Sequence, residues 1–166
     1  MSATTAMAPI DQRYYEDYPE GAVFEGGPIQ VDEAEVLAFA RRYDPQPFHV
    51  DAAAAARSMY GGIIASGWHT AAMTMRVLVE SYLSSVASLG SPGIDELRWV
   101  LPVRPGDTLL VRITVIEARR SRSKPDRGMV RTLIETRNQR EEVVLSMKAI
   151  NLMLCRELIG AVRHLG

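Results

Sequence analysis

The sequence predicts a single α+β domain in which an antiparallel sheet wraps around one long central helix. Residues 68–89 form a long, mainly apolar stretch with apolar side chains at helical spacing. After the turn sequence GSPG at 90–93, apolar and polar residues alternate instead. The 166 residues, 47% of them apolar, are enough to build one such core. A curved antiparallel sheet can therefore cover the helix.

The N-terminal half is predicted to begin with a strand and a helix. The strand covers residues 22–31. Asp32 and Glu35 then form a capping box, in which each side chain satisfies a free backbone amide of the other residue. The helix that they begin ends near Tyr43.

Two further helical segments follow before the C-terminal strands. The alanine run at 52–56 is typical of a short helix, and Asp51 precedes it as the cap. The long stretch 68–89 is predicted as the central helix. One of its faces is lined by Met73, Val77, Leu78, Tyr82 and Leu83.

The C-terminal half is predicted to contain four strands, of which the last three form an antiparallel meander. Trp99 is expected in the core, and Arg104 belongs to the turn that begins the following strand. Alternation of apolar residues indicates that each of the last three strands buries one face. The strands cover residues 94–103, 108–121, 128–139 and 143–155.

Composition excludes several classes of protein. The 19 Lys and Arg residues balance 20 Asp and Glu residues, so no broad electrostatic field would attract nucleic acid or an anionic membrane. The single Cys155 cannot form an intrachain disulfide, and its alternating apolar neighbours predict a buried side chain. We expect neither a metal site nor a nucleic-acid or membrane partner.

The N-terminus is expected to be a loosely ordered extension over residues 1–20. It lacks the basic start and apolar run of a secretion signal, which favours a cytoplasmic protein. The uncharged interval 58–75 contains glycines and a histidine that suit a turn and helix start better than a bilayer span.

The segment DPQPFH places a carboxylate, Asp44, five positions before an imidazole, His49. One interpretation is structural, in which Asp44 caps a helix and His49 is a hydrogen-bonded residue under the loop. Pro45 and Pro47 favour another, because they restrict the backbone and hold the two groups at a repeatable separation. The pair could then share one water, with one group removing a proton and the other helping to deliver one.

The segment GGIIASGWHT, residues 61–70, leads into the predicted central helix. The first amides of a helix have no intrahelical acceptor, so the Gly67 amide could donate to a developing oxyanion. Alternatively, the glycines only form a tight turn and allow close helix packing. His69 is expected to be a packing or capping residue.

Together these segments resemble the MaoC-like dehydratase family, which includes the (R)-specific enoyl-CoA hydratases. The resemblance covers most of the chain, through VDEAEVLAFARRYDPQPFHVD, YGGIIASGWHT, RWVLPVRPGDTL and NQREEVVL. It implies a hot-dog fold, a sheet wrapped around a long helix, which is usually paired with a second such unit. We therefore expect a homodimer or a dimer-based oligomer.

The resemblance also implies a lyase reaction, reversible syn addition of water to a trans-2-enoyl-CoA to give a 3-hydroxyacyl-CoA. Asp44 and His49 match the catalytic pair of the family, and Gly67 matches the residue whose amide polarises the thioester carbonyl. Ser66 is a neighbour that would orient the pair. Two departures affect the acyl substrate: many (R)-hydratases have Asn where Gln46 stands and His where Ser66 stands. Coenzyme A enters as part of the substrate, and no separate cofactor is expected.

A basic segment, RRSRSKPDRG at 119–128, falls at the predicted tip of a hairpin. Arg120, Arg122 and Lys124 could bind the phosphates of coenzyme A. The alternative is an ordinary solvated hairpin tip.

Two other functions compatible with a hot-dog fold are an acyl-CoA thioesterase and a non-catalytic subunit that binds acyl thioesters. A thioesterase would also use a carboxylate and a backbone amide at a helix start. The pairing of Asp44 with His49 favours hydration.

Overall fold

The computed structural model describes residues 7–157, which form one five-stranded antiparallel sheet and four helices. The strands are β1 (Val23–Gln30), β2 (Gly93–Trp99), β3 (Thr108–Arg120), β4 (Arg127–Arg137) and β5 (Val143–Leu154). The helices are α1 (Glu33–Tyr43), α2 (Pro47–Val50), α3 (Ala52–Arg57) and α4 (Gly67–Ser81). A short 3-10 turn over Tyr15–Asp17 precedes them.

The sheet has the strand order β1-β3-β4-β5-β2, so the predicted meander of the last three strands is confirmed. Strand β4 pairs with both of its sequence neighbours, and Thr136 lies opposite Leu145 on β5. Strand β2 joins the other side of β5, where Trp99 lies opposite Leu145. Within the described residues, β1 and β2 are therefore the two edges.

Helix α4 packs against one face of this sheet, which is the hot-dog arrangement that was predicted. Val77 and Leu78 of α4 are buried in a core formed with apolar residues of the strands. The strand residues of this core alternate in sequence, as expected when one face of a sheet is buried. They include Phe24, Val111, Ile113, Val130, Ile134 and Leu145.

The central helix is shorter than the apolar stretch that predicted it, and it ends at Ser81 rather than near residue 89. The amides of Tyr82 and Leu83 both donate to the carbonyl of Leu78, which closes the last turn. The hydroxyl of Ser84 then accepts from two following amides and donates to a backbone carbonyl, so it holds a turn there. The stretch 82–89 is apolar because it is partly buried, not because it is helical.

The predicted N-caps at Asp32 and Asp51 are confirmed, but among the residues that the structure describes the return hydrogen bond from the Asp32 amide to the Glu35 side chain is absent, so the predicted capping box is only half formed. The carboxylate of Asp32 accepts from the Glu35 amide at 2.9 Å, and Asp51 accepts from the Ala54 amide at the same distance. The proline segment, however, contains a one-turn helix, α2, that the periodicity did not predict. Pro47 occupies its first turn, where a missing amide hydrogen costs nothing.

The N-terminal prediction is corrected for the residues that the structure describes. Tyr18 is fully buried, and its hydroxyl donates to the carbonyl of Tyr82 at 2.8 Å. Arg13 is also buried and donates to the carbonyls of Ser81 and Tyr82. These contacts pin residues 8–18 to the end of α4, while residues 1–6 of the predicted extension lie outside the described range.

Three smaller findings concern predictions made from composition. Cys155 is fully buried, as predicted. Between residues 7 and 157 no helix is long and apolar enough to cross a bilayer. Over the same range, no three His, Cys, Asp or Glu side chains are grouped in a way that could hold a metal ion.

Candidate active site

The structure brings Asp44 and His49 together. Helix α1 ends at Tyr43, and Asp44 is its C-terminal cap, with its amide bonded to the carbonyl of Ala40 at 2.8 Å. His49 projects from α2, which begins at Pro47. The Nε2 atom of His49 lies 3.3 Å from Oδ2 of Asp44. The proline segment therefore turns the chain so that both side chains point to one place.

The imidazole of His49 is fixed by a backbone contact. The side chain is only 5% exposed, and Nδ1 lies 2.7 Å from the carbonyl oxygen of Ile64. A carbonyl oxygen can only accept a hydrogen bond, so Nδ1 carries the proton and donates. In the neutral ring Nε2 is then an acceptor, and it is the nitrogen that faces Asp44.

Asp44 is held as a carboxylate. Ser66 donates from Oγ to Oδ2 at 2.6 Å, and Gln46 donates from Nε2 to Oδ1 at 2.7 Å. These hydrogen bonds, Ser66 first, and the neighbouring imidazole when Nε2 carries a proton lower the pKa of Asp44 below its ordinary value, although partial burial opposes them. Asp44 is therefore ionised at neutral pH, and Ser66 contacts it directly, as expected for a neighbour that orients the pair.

Ser66 occupies the N-cap position of α4, but its side chain makes no capping hydrogen bond to the helix. The hydroxyl contacts Asp44 instead. Gly67 begins the helix, and its amide has no intrahelical acceptor because of its position in the first turn. Ser66 and Gly67 thus connect the carboxylate to a helix start whose free amides can donate hydrogen bonds to a ligand.

Gly67 is also required for packing. A Cβ added at this position would lie within 2.6 Å of three atoms of the Trp99 indole. Close packing therefore explains why the residue is glycine, as the alternative interpretation of this segment proposed. The ability of its amide to donate does not depend on that explanation, because every residue type except proline has this donor.

The pair, Gly67 and the helix start line one cavity of about 630 Å³. Trp99 also lines it and is 47% exposed, so the prediction that Trp99 belongs to the core is wrong. Trp99 ends β2 at the sheet edge, where its ring packs edge-on against Trp68, with ring centroids 5.0 Å apart. Other apolar lining residues are Phe48, Met59, Tyr60, Leu101 and Pro102.

His69 is a packing residue, as predicted. It is 7% exposed, and its ring stacks on that of Phe39 with centroids 4.7 Å apart and planes 9° from parallel. Burial lowers its pKa, which favours the neutral ring. It is not among the residues that line the cavity.

The basic segment lies at the other end of the sheet from the cavity. It joins β3 to β4 beside Leu154, whereas the cavity meets β5 at Val144. The 11-residue strand β4 spans this separation, which is about 33 Å because its ends are ten steps of about 3.3 Å apart. Arg120 is already paired with Glu157 at 3.3 Å. Within a single chain, Arg120, Arg122 and Lys124 are therefore not part of the candidate active site.

Comparison with known proteins identifies relatives of this chain. A MaoC-like dehydratase from Rhodospirillum rubrum is 44% identical, with a TM-score of 0.81 over 87% of this chain and 98% of that one. The (R)-hydratase PhaJ1 from Pseudomonas aeruginosa is 27% identical, with a TM-score of 0.69 over 87% and 86%. A chain of the HadBC (3R-hydroxyacyl-ACP dehydratase) complex from Mycobacterium tuberculosis shares the fold at 16% identity, with a TM-score of 0.62 over 80% and 96%.

The family model described as "MaoC like domain" matches residues 18–138, which include the catalytic candidates, all of α4 and strands β1 to β4. The chain belongs to the MaoC-like domain family.

Proposed function

We propose that the protein is a hydratase that reversibly adds water to a trans-2-enoyl-CoA and forms a 3-hydroxyacyl-CoA. The observation that carries this proposal is the 3.3 Å contact between His49 and Asp44 at the wall of a cavity that also contains the start of α4. The cavity volume of about 630 Å³ is in the range of small-molecule sites.

Asp44 and His49 would hold the attacking water. When the imidazole is neutral, Nε2 and the Asp44 carboxylate are both acceptors, so a water beside them can donate one hydrogen to each. As the water oxygen bonds to C3, one O–H bond breaks and its proton moves to Nε2. Asp44 orients the water and stabilises the imidazolium that forms.

The electron pair of the C2–C3 double bond moves toward the thioester carbonyl, which becomes an enolate. The amide of Gly67 would donate to this oxygen, where the helix start also favours negative charge. The imidazolium then returns its proton at C2, which restores His49 and completes the addition. Because the same pair handles the water that supplies both the hydroxyl and the proton, the two are added to one face of the double bond.

We also propose that the active unit is a homodimer joined along β2. This strand is a sheet edge with exposed apolar side chains at Ile94 and Trp99, and Val100 and Leu101 directly after it are exposed as well. Unpaired, apolar edges are sites for pairing with another chain. A twofold axis at this edge would make the β2 strands of the two protomers run antiparallel to each other.

In such a dimer, the basic segment of one protomer would lie near the cavity of the other. The cavity lies at the Trp99 end of β2, and the basic hairpin lies at the Gly93 end of the sheet. Antiparallel pairing of two β2 strands brings the Gly93 end of one protomer to the Trp99 end of the other. Arg122 and Lys124 of one protomer would then be placed to bind the phosphates of coenzyme A that occupies the other.

The direct test incubates the protein with crotonyl-CoA and follows enoyl absorbance and free thiol together. A hydratase removes the enoyl absorbance without releasing thiol. Thiol release with hydrolysis of the thioester would identify a thioesterase. Binding of crotonyl-CoA by calorimetry with neither change would identify a non-catalytic binding subunit.

A further inference from the structure

Arg104 lines the same cavity as the catalytic pair, and its role is not explained by the hydration step. Among the cavity-lining residues that the structure describes, it is the side chain with a permanent positive charge. The rest of the lining is mainly apolar and aromatic, apart from the Asp44 region. A guanidinium in such a wall is a specific feature, because an acyl chain alone offers it no partner.

The backbone of Arg104 is fixed by a turn. Its amide donates to the carboxylate of Asp107 at 2.9 Å, and its carbonyl accepts from the Asp107 amide at 3.0 Å. Gly106 takes a positive φ of 91° within this turn and donates to the carbonyl of Val31. The side chain therefore starts from a defined place between β2 and β3.

The guanidinium is tethered but not neutralised. Its Nη2 donates to the carbonyl oxygen of Tyr60 at 2.5 Å, and this single contact orients the planar group. Between residues 7 and 157, no carboxylate forms an ion pair with it within 4 Å, and the side chain is exposed. An arginine has five N–H donors, so most of them remain available.

Gly62 leaves room beside the guanidinium. A Cβ at this position would be 3.6 Å from Nη1 of Arg104, at ordinary contact distance, so a longer side chain would project into the space next to it. The loop that contains Tyr60 and Gly62 therefore orients the group on one side and leaves it accessible on another.

We propose that Arg104 binds an oxyanionic group of the substrate and is a specificity-determining residue. A guanidinium binds planar or tetrahedral oxyanions through paired N–H donors, so the group is a carboxylate on the acyl chain or a phosphate of the thioester carrier. This inference rests on the proposed hydratase function, since it places the substrate in the cavity of Asp44 and His49.

Three thioesters distinguish the two sources. Crotonyl-CoA carries phosphates and a neutral acyl chain, crotonyl-pantetheine carries neither a phosphate nor a carboxylate, and the pantetheine monothioester of fumaric acid carries only the carboxylate. The dissociation constant and KM of each thioester are measured for the parent protein and for Arg104→Gln. Arg104→Lys is a second variant, which keeps the positive charge but loses the paired N–H donors of the guanidinium. Arg76→Gln is the matched control, because Arg76 is an exposed arginine paired with Glu80 on α4 and does not line the cavity.

If the partner is a phosphate, Arg104→Gln raises both constants for crotonyl-CoA by about tenfold or more and leaves crotonyl-pantetheine within about twofold. If it is a carboxylate, the same loss appears with the fumaric acid thioester and not with crotonyl-pantetheine. Arg104→Lys should fall between, and Arg76→Gln should change none of the three.

Equal effects of Arg104→Gln on all three thioesters, or no effect, in a protein with parent-like circular dichroism would overturn the inference. Measuring binding and turnover separately tests the anion site and the hydratase function independently of each other. Selective binding through Arg104 without hydration would reject the hydratase and keep the anion site. Hydration without this selectivity would reject the anion site and keep the hydratase.

Discussion

Substitution of Gly67 by alanine tests how closely the helix start and the sheet edge are fitted at the candidate active site. The added methyl group would lie within 2.6 Å of three atoms of the Trp99 ring, whereas ordinary contacts begin near 3.4 Å. The indole must therefore retreat by about 1 Å, which is a small-to-large change of the kind that costs about 1–3 kcal/mol. Its edge-on contact with Trp68 would be weakened at the same time.

We expect Gly67→Ala to lower both stability and turnover. For a chain of this size, each kcal/mol lowers Tm by about 2–4 °C, which differential scanning calorimetry measures. If the displaced ring and the methyl group obstruct access to the helix-start amide, kcat for crotonyl-CoA should fall by up to about 10²-fold, the loss typical of one oxyanion donor.

The double variant Gly67→Ala with Trp99→Ala provides the internal control. Removing the indole removes the clash, so the methyl group should cost much less stability in the Trp99→Ala background than in the parent. Gly67→Ala with an unchanged Tm and kcat would refute the packing argument. Equal destabilisation by the methyl group in both backgrounds would show that Trp99 is not the cause.

The remaining predictions concern the carboxylate, the basic hairpin and the dimer. Ser66→Ala removes the hydrogen bond that most lowers the pKa of Asp44, so that pKa should rise. Since activity needs the ionised carboxylate, the acid limb of a plot of kcat/KM against pH should move to higher pH, and an unmoved limb would contradict this. The double variant Arg122→Gln with Lys124→Gln should raise KM for crotonyl-CoA more than it changes kcat, and the effect should shrink at high salt. An unchanged KM at low salt would show that the hairpin is an ordinary solvated surface without a role in substrate binding. Light scattering should show a dimer that Ile94→Lys converts to monomers, and a fully active parent monomer at micromolar concentration would exclude a shared site.

The strands and the central helix could be predicted because each leaves a periodic pattern in the sequence. Strand β4 alternates buried and partly buried residues along its whole length, and the buried positions of α4 recur at helical spacing. The end of α4 was harder to predict from the sequence, since Tyr82 is an aromatic residue as buried as the residues inside the helix. Burial and helicity are separate properties, and only hydrogen bonding distinguished them at this point.

The catalytic candidates could be predicted because Asp44 and His49 are close in sequence and joined by prolines. The rest of the site comes from distant segments. Trp99 reaches Gly67 only because β2 pairs with β5 at the sheet edge, and no local pattern contains that information. Arg104 enters the cavity for the same reason, through the turn that follows β2. The N-terminal contact of Tyr18 with the end of α4 is likewise a long-range hydrogen bond without periodicity.

The proposal that Asp44 and His49 act on one water is tested by steady-state hydration of crotonyl-CoA with the two single variants. Asp44→Asn keeps the size of the side chain but removes its charge, and His49→Gln removes the proton exchange of the imidazole. Each should lower kcat by about 10²-fold or more, and the double variant should lose much less than the product of the two. His69→Gln is the control and should keep most of the activity, because that ring packs on Phe39 away from the cavity. If folded Asp44→Asn and His49→Gln proteins hydrate crotonyl-CoA at nearly the parent rate, Asp44 and His49 are not the catalytic pair.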